Sequence, residues 1–412
     1  MFRKLSILGV ASVLLAACAP GTGAKMPELI QATPLSYVQA TAPSADQARA
    51  IASFGERLFA EVRKDGEPNP VISPLSVFYA LGMAGDGAAG ETAAAFEKVF
   101  GLTAEQSRQV AAYLLAELAK PGPGTTLSAA NSVWLDERSP VAQDWVDRVQ
   151  AYYQAEAVRA ELADPATVGR VNDWISGKTN GLIPEMLSEP LDPSTLALLV
   201  DALYLKAAWA REFSTDITRE GEFRAASGAV PAYYLHARYD SARYLDTGSA
   251  TGIVLPYQDG RLAFLAALPK SGELALDGDT IAGLLAAAQD RANVVLSMPK
   301  FDTQYGADLV PALAALGLGV ACSPAAADFS GISAKLYISK VSHKVSMAVG
   351  EKGTETAAAT VVEMRAGAAL PPNDVYLTFD RPYVYAVVDL TTGVPLFLGA
   401  MDDPSKAPPA AR

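Results

Sequence analysis

Residues 196–205 are apolar almost without a break. A strand with one wet face alternates polar and apolar side chains, whereas an unbroken run belongs to a strand covered on both faces. The chain must therefore build a sheet with a layer above and a layer below it. Residues 126–135, 375–379, 383–390 and 395–401 have strand character too. So do 251–257 and 262–268, joined at Gln258-Asp259-Gly260-Arg261 as a hairpin.

Helical signals dominate the first half. Ser44 and Gln47 are spaced as a capping box, and Ile51, Phe54, Leu58 and Val62 follow at helical intervals. Ser73-Pro74 is a second start, and the apolar run 75–83 behind it predicts a buried helix. Further helices are expected near 104–119, 141–152, 165–176 and 279–289. With no clear linker after residue 46 and no internal repeat, the pattern is one large α+β domain.

Composition narrows the function. Of 412 residues, 50% are hydrophobic, enough for a large core, and the net charge is −12. An acidic surface repels phosphate backbones, so no nucleic-acid partner is expected. Two His and two Cys are the bare minimum for a zinc site built from such ligands, so none is expected, and they exclude a disulfide framework. No metal or other cofactor is expected. No G-x-S-x-G, G-x-G-x-x-G, Walker or H-E-x-x-H motif is present, so nothing points to an enzyme. His236 reads as a half-buried strand residue, and Asp402-Asp403 as solvated carboxylates.

The N-terminus reads as an export signal, residues 1–17. Arg3 and Lys4 precede an apolar stretch at 5–15, too short for an ordinary bilayer-spanning helix. Leu15-Ala16-Ala17-Cys18 resembles a bacterial lipobox, which makes Cys18 the lipidated first residue of the mature chain. Residues 18–45 are expected to be a flexible tether. The protein is then held at the cell envelope through that lipid, at the outer membrane in a Gram-negative cell, surface-exposed or released. Cys322 would be its free thiol, read as a small core residue.

Residues 351–372 form an unusual segment. In an extended chain Thr354, Thr356, Ala358, Thr360, Val362 and Met364 share one side. Glu355, Ala357, Ala359, Val361 and Glu363 share the other, so one face carries no charge. The residues are small, Gly353 offers a hinge, and Gly367 with Pro371-Pro372 suits an exposed loop. Pattern alone allows two readings: a loop able to become a strand, or an Ala/Thr-rich linker.

Several motifs in order resolve this. Asn69-Pro70-Val71-Ile72-Ser73-Pro74-Leu75-Ser76 is followed by Gly87-Ala88-Ala89-Gly90-Glu91-Thr92. Then come Val171-Asn172-Asp173-Trp174, Thr179-Asn180-Gly181-Leu182-Ile183 and Ala202-Leu203-Tyr204-Leu205-Lys206 with Trp209 and Phe213. Met298-Pro299-Lys300-Phe301, Ala327-Asp328-Phe329-Ser330-Gly331-Ile332, His343-Lys344, Gly350-Glu351-Lys352-Gly353-Thr354-Glu355, Asp380-Arg381-Pro382-Tyr383 and Phe397-Leu398-Gly399 complete the set. Over residues 46–404 the chain resembles the serpin family.

The resemblance implies a single serpin domain at 46–404 and a tail at 405–412. It implies an α+β fold with three β-sheets, about eight or nine helices and an exposed reactive-centre loop at 351–372. It implies a monomeric suicide-substrate inhibitor of serine or cysteine proteases rather than an enzyme. In that family the protease forms an acyl-enzyme with the loop, and the cleaved loop enters the main sheet as a new strand. A strand of about 14 residues carries the bound protease roughly 45 Å.

The family pattern assigns positions. Gly353, Thr354, Glu355, Thr356, Ala357, Ala358, Ala359 and Thr360 match the hinge, with Thr356 standing where Ala is usual. Glu351, Lys300 and Trp209 match the breach at the top of the main sheet. Ser73, Ser76, Asp201 and His343 match the shutter. Asp201 departs from the usual Asn; facing His343, it would form a charged pair and make gating pH-sensitive. Counting from Glu351 puts the scissile bond after Gly367, and aligning Pro371-Pro372 puts it after Ala368. Both suit an elastase- or subtilisin-like protease. Arg365 suits a trypsin-like pocket, and Leu370 a chymotrypsin-like one. A non-inhibitory serpin is the other alternative, which bulky, charged or Pro residues on the Thr354 side of the hinge would favour; none is present there.

Overall fold

The computed structural model describes residues 28–30, 38, 40–354 and 374–408. Cys18, the hinge beyond Thr354, and Arg365, Gly367, Ala368 and Leu370 lie outside the described residues. Among the described residues the fold is mixed α+β with eight α-helices.

A seven-stranded sheet forms one face. Its order is Glu28–Leu29, Glu156–Ala160, Thr125–Asp136, Ala197–Ala208, Gly353–Thr354, Ser342–Val349, Phe301–Asp308. The second hydrogen-bonded path has nine strands and joins the other two sheets through Gly228–Asp246. The first part of that strand pairs with Arg219–Ala225, and its middle with Gln289–Pro299, which holds Val375–Thr378 in parallel. Its far end pairs with Ala250–Pro256, leading on through Leu262–Pro269, Tyr383–Asp389 and Pro395–Met401 to Val71–Ile72.

Local chemistry explains the helices. Ala45–Val62 opens on the complete Ser44/Gln47 capping box. Pro74–Gly85 opens on Ser73, whose side chain accepts from the Ser76 amide, and is buried nearly all round. Ala104–Leu118, Gln143–Tyr153, Pro165–Lys178 and Thr280–Ala287 lie where the periodicity puts them. Ala197–Ala208 is covered on both faces. Val200 and Leu198 join Val171 and Ile175 of Pro165–Lys178 on one side, and Leu203 and Leu205 enter the main core on the other.

Three local readings change. Asp402 and Asp403 are not both solvated: Asp403 is buried and caps a short turn through Ser405, while Asp402 faces Arg63 at 3.4 Å. Ala407, placed in the tail, is buried, and its carbonyl accepts from the Asp302 amide. Within the segment read as a tether, Glu28–Leu29 adds to the edge strand Glu156–Ala160, and Gln150 Nε2 donates to the Ile30 carbonyl. That short strand covers part of an otherwise open sheet edge.

Candidate functional site

The top of the seven-stranded sheet is built around Trp209, which follows the strand Ala197–Ala208 directly. It is fully buried and stacks on Tyr257, with centroids 4.8 Å apart and planes 6° from parallel. Phe213 and Phe264 meet it edge-on. Its indole N–H donates to the Gly350 carbonyl at 2.8 Å, its amide to the Lys352 carbonyl, and the Phe213 amide to the Glu351 carbonyl. The turn 350–352 is thus pinned by backbone on both sides.

Lys300 and Glu351 are brought together: Nζ lies 3.0 Å from Oε2, with both side chains mostly buried. Burial alone would raise the Glu351 carboxyl. The Lys300 ammonium and further hydrogen bonds, one of them from Thr218, outweigh it and hold the carboxyl below its ordinary value. Stability from this depressed group is present above the ordinary carboxylate range and is lost as pH falls through the lowered value. Lys300→Met should cost roughly 1–3 kcal/mol near neutrality, because it leaves a buried carboxylate unpaired. Melting curves from pH 2.5 to 7 should show the gap to wild type closing in acid; a constant gap would contradict the pairing.

Gly353–Thr354 is a two-residue strand wedged between neighbours. Gly353 pairs with Ala208, and Thr354 with Ala207 on one side and Val349 on the other. A Cβ on Gly353 would lie 2.0 Å from the Ala207 carbonyl oxygen, so only glycine allows the approach. Thr354 is buried, and its Oγ1 lies 2.5 Å from the Tyr257 hydroxyl. Tyr257 had no motif to betray it, since it lies 97 positions from its partner.

Below this wedge the sheet is not closed. Among the described residues, no ladder joins Ala197–Ala208 to Ser342–Val349 except through Gly353–Thr354. A cavity of about 410 Å³ occupies the lower part of the slot, lined by Leu199 and Asp201 on one strand and Ser342 and His343 on the other, with Ser76 and Val77 beneath. Among the described residues each bounding strand makes a ladder along this stretch on its outer side only, so the slot is shaped to receive a strand.

The shutter residues meet under this slot. His343 is buried, and its Nε2 accepts the Ser73 amide at 3.0 Å. Burial drives its pKa down to about 4. Ser76 donates its amide to the Ser73 hydroxyl. Asp201 lines the same cavity, yet no ion pair joins it to His343 among the described residues, so the expected charged pair is not formed. Burial pushes the Asp201 carboxyl well up, which favours the neutral acid. Tyr79 and Asn131, which the sequence reading did not single out, lie beside it. Among the described residues, both Asp201 oxygens, the Asn131 Oδ1 and the Tyr79 hydroxyl lack a hydrogen-bond partner.

Two other candidates are remote from this site. His236 is half-buried, with Nδ1 2.9 Å from the Ser297 hydroxyl. Cys322 is half-buried, and burial followed by Asp308 raises its thiol pKa, making it a poor nucleophile.

A family model described as serpin, serine protease inhibitor, matches residues 49–404. An uncharacterized serpin-like protein of Thermococcus kodakarensis is 31% identical over 368 residues, covering 86% of this chain and 85% of its own. Leukocyte elastase inhibitor A of Mus musculus is 30% identical, over 82% of this chain and 93% of its own. The crystal structure of tengpin, a thermophilic serpin, in the native state superposes with a TM-score of 0.81 at 29% identity, covering 91% of this chain and 97% of that one.

Proposed function

This chain belongs to the serpin family, whose members are generally protease inhibitors, and on that premise we propose that it is a suicide-substrate inhibitor of serine proteases that traps its target by loop insertion. Strand insertion of this kind is the behaviour for which serpins are known. One observation carries the reading for this chain: Gly353 and Thr354 already sit as a short strand at the head of an open slot. Residues 356–360 continue with small side chains, and the face shared with Thr354 carries no charge through Met364. Such a segment enters between strands without a steric barrier, and each residue that enters pairs backbone on both sides.

The loop sequence favours Gly367 or Ala368 as the residue before the cleaved bond, hence an elastase- or subtilisin-like target. The likeness to a leukocyte elastase inhibitor supports that direction. Arg365 supports a second reading, a trypsin-like target. On the lipobox at Cys18, the inhibitor works as a monomer tethered by lipid to the bacterial cell envelope, where it meets exported or invading proteases.

The test is direct. Full-length mature protein is mixed with an elastase, a subtilisin and a trypsin, and an SDS-stable band of summed mass is sought. The expected result is that band with elastase or subtilisin, and mass spectrometry placing the cut after Gly367 or Ala368. A band with trypsin alone, cut after Arg365, selects the second reading. Cleavage without a band by all three contradicts inhibition.

A further inference from the structure

Asp374 is the first described residue beyond the loop, and the strand Val375–Thr378 follows it directly. Four large hydrophobic side chains are exposed among the described residues, and Tyr376, at 50%, is the one on this strand. A single exposed tyrosine needs no explanation. Register makes this one the end of a patch. Tyr376 is paired with Val295, and Val295 with Arg238 on Gly228–Asp246, so the three share a face. One step along that face, Thr378, Ser297 and His236 form a second row. Leu377, Leu296 and Val294 alternate with them and are buried on the core side, while Tyr376, Thr378 and Arg238 are exposed on the outer side.

The charges on this face are matched within it. The Arg238 guanidinium meets both Asp374 oxygens, one of them at 3.0 Å, and also reaches Asn293 Oδ1. His236 shares a hydrogen bond with Ser297, and burial, then Arg219, lower its pKa, so it is neutral near pH 7. What faces solvent is a tyrosine ring, the Val295 side chain and the Thr378 hydroxyl. That mixture of aromatic, aliphatic and hydroxyl groups is the chemistry of a protein interface centre, not of a charged steering patch.

Position names the partner. The Arg238 side chain that belongs to the patch also holds Asp374, so the loop leaves from the edge of this same face. Gly367 and Ala368 precede Asp374 by only seven and six residues, a reach of at most roughly 20–25 Å. On the hinge side they follow Thr354 by thirteen and fourteen residues, so the arm tied to the patch is the shorter one. A protease of about 250 residues has a radius of gyration of roughly 18 Å. A body of that size, gripping a bond on so short an arm, overhangs the face from which the arm leaves.

We propose that the face carrying Tyr376, Val295 and Thr378 is a docking surface for the body of the target protease, outside its substrate cleft. The protease meets it with an uncharged, partly apolar patch of its own. This rests on the inhibitor reading above and on a bond at Gly367 or Ala368. Contacts made here form on encounter, before the loop is cut, and act on association. They leave untouched the later choice between trapping and hydrolysis, which is decided in the main sheet. Because neither side brings unmatched charge, their contribution persists in salt.

The experiment compares the full mature chain as wild type, Tyr376→Ala, Tyr376→Phe and Thr378→Arg. The second-order rate of inhibition is measured with elastase and subtilisin, and Kd with the same proteases carrying alanine for the active serine. Tyr376→Ala should lower the rate and weaken Kd by about 5- to 30-fold, equally at low and high salt. Thr378→Arg, which sets a bulky charge on the patch, should do at least as much, and Tyr376→Phe should keep most of the rate. The inhibitor consumed per trapped protease and the Tm of the intact chain should not change. An unchanged rate and Kd in Tyr376→Ala overturn the proposal and leave inhibition standing. A slower rate accompanied by a lower Tm or by more inhibitor consumed also overturns it, and gives Tyr376 the task of holding the exit strand. A loss confined to low salt overturns the uncharged partner. A wild-type dimer in sedimentation that Tyr376→Ala dissolves gives the face to a second copy and overturns the proposal too. No SDS-stable band from the wild type with any protease overturns inhibition itself and the proposal with it.

Discussion

Thr354→Arg should turn the inhibitor into a substrate. Thr354 is 4% exposed and fits between two strands under Tyr257. Among the described residues the wedge's strand partners Ala207, Ala208 and Val349 offer a guanidinium no carboxylate, and burying an unpaired cation costs several kcal/mol. The first step of strand entry then stalls, while the exposed bond is still attacked and hydrolysed. Each 1.4 kcal/mol added to the insertion barrier gives hydrolysis a tenfold advantage, so the SDS-stable band should fall at least about tenfold with elastase or subtilisin. The cleaved variant should also lose most of its gain in melting temperature. Undiminished complex yield would sink the insertion mechanism for this chain.

Trp209→Ala should produce the largest loss of stability. Removing a fully buried indole leaves a cavity bounded by Tyr257, Phe213 and Phe264, at a cost of about 3–5 kcal/mol. It also strips the Gly350 carbonyl of its indole donor. The turn that delivers Gly353 into the slot loses its brace, so proteolysis around residues 350–354 should quicken together with the fall in Tm. An unchanged Tm, or a fall without faster cleavage there, would mean that Trp209 packs without positioning the hinge.

Much of the architecture was legible because it is written locally. Ser44/Gln47 and Ser73-Pro74 mark helix starts within four residues, and the run 196–205 announces a doubly covered strand. The long strand Gly228–Asp246 escaped notice because exposed, half-buried and buried residues are mixed along it with no clean alternation. Ser342–Val349 alternates perfectly, but Ser, His and Lys at its start mask the pattern. At the site, Lys300 and Glu351 were nameable from motifs, and Gly353 from its lack of a side chain. The seat at Thr354 was not, since Tyr257 approaches from a distant strand. Asp201 was visible as a departure from the family's Asn. That it lies in an open slot beside Asn131 and Tyr79 follows only from three strands and a helix meeting in space.

The small strand Glu28–Leu29 bears on how the molecule sits in the cell. On the proposal that Cys18 is lipidated, ten residues at most separate the bilayer surface from a fixed point on the sheet edge. A fully extended chain of that length reaches about 33–36 Å. The leash is therefore short, and it is tied to a flank of the body rather than to its end. An inhibitor held this way cannot tumble freely. On that proposal the sheet edge at Glu28–Leu29, and not the opposite edge at Phe301–Asp308, is the side held within that reach of the bilayer.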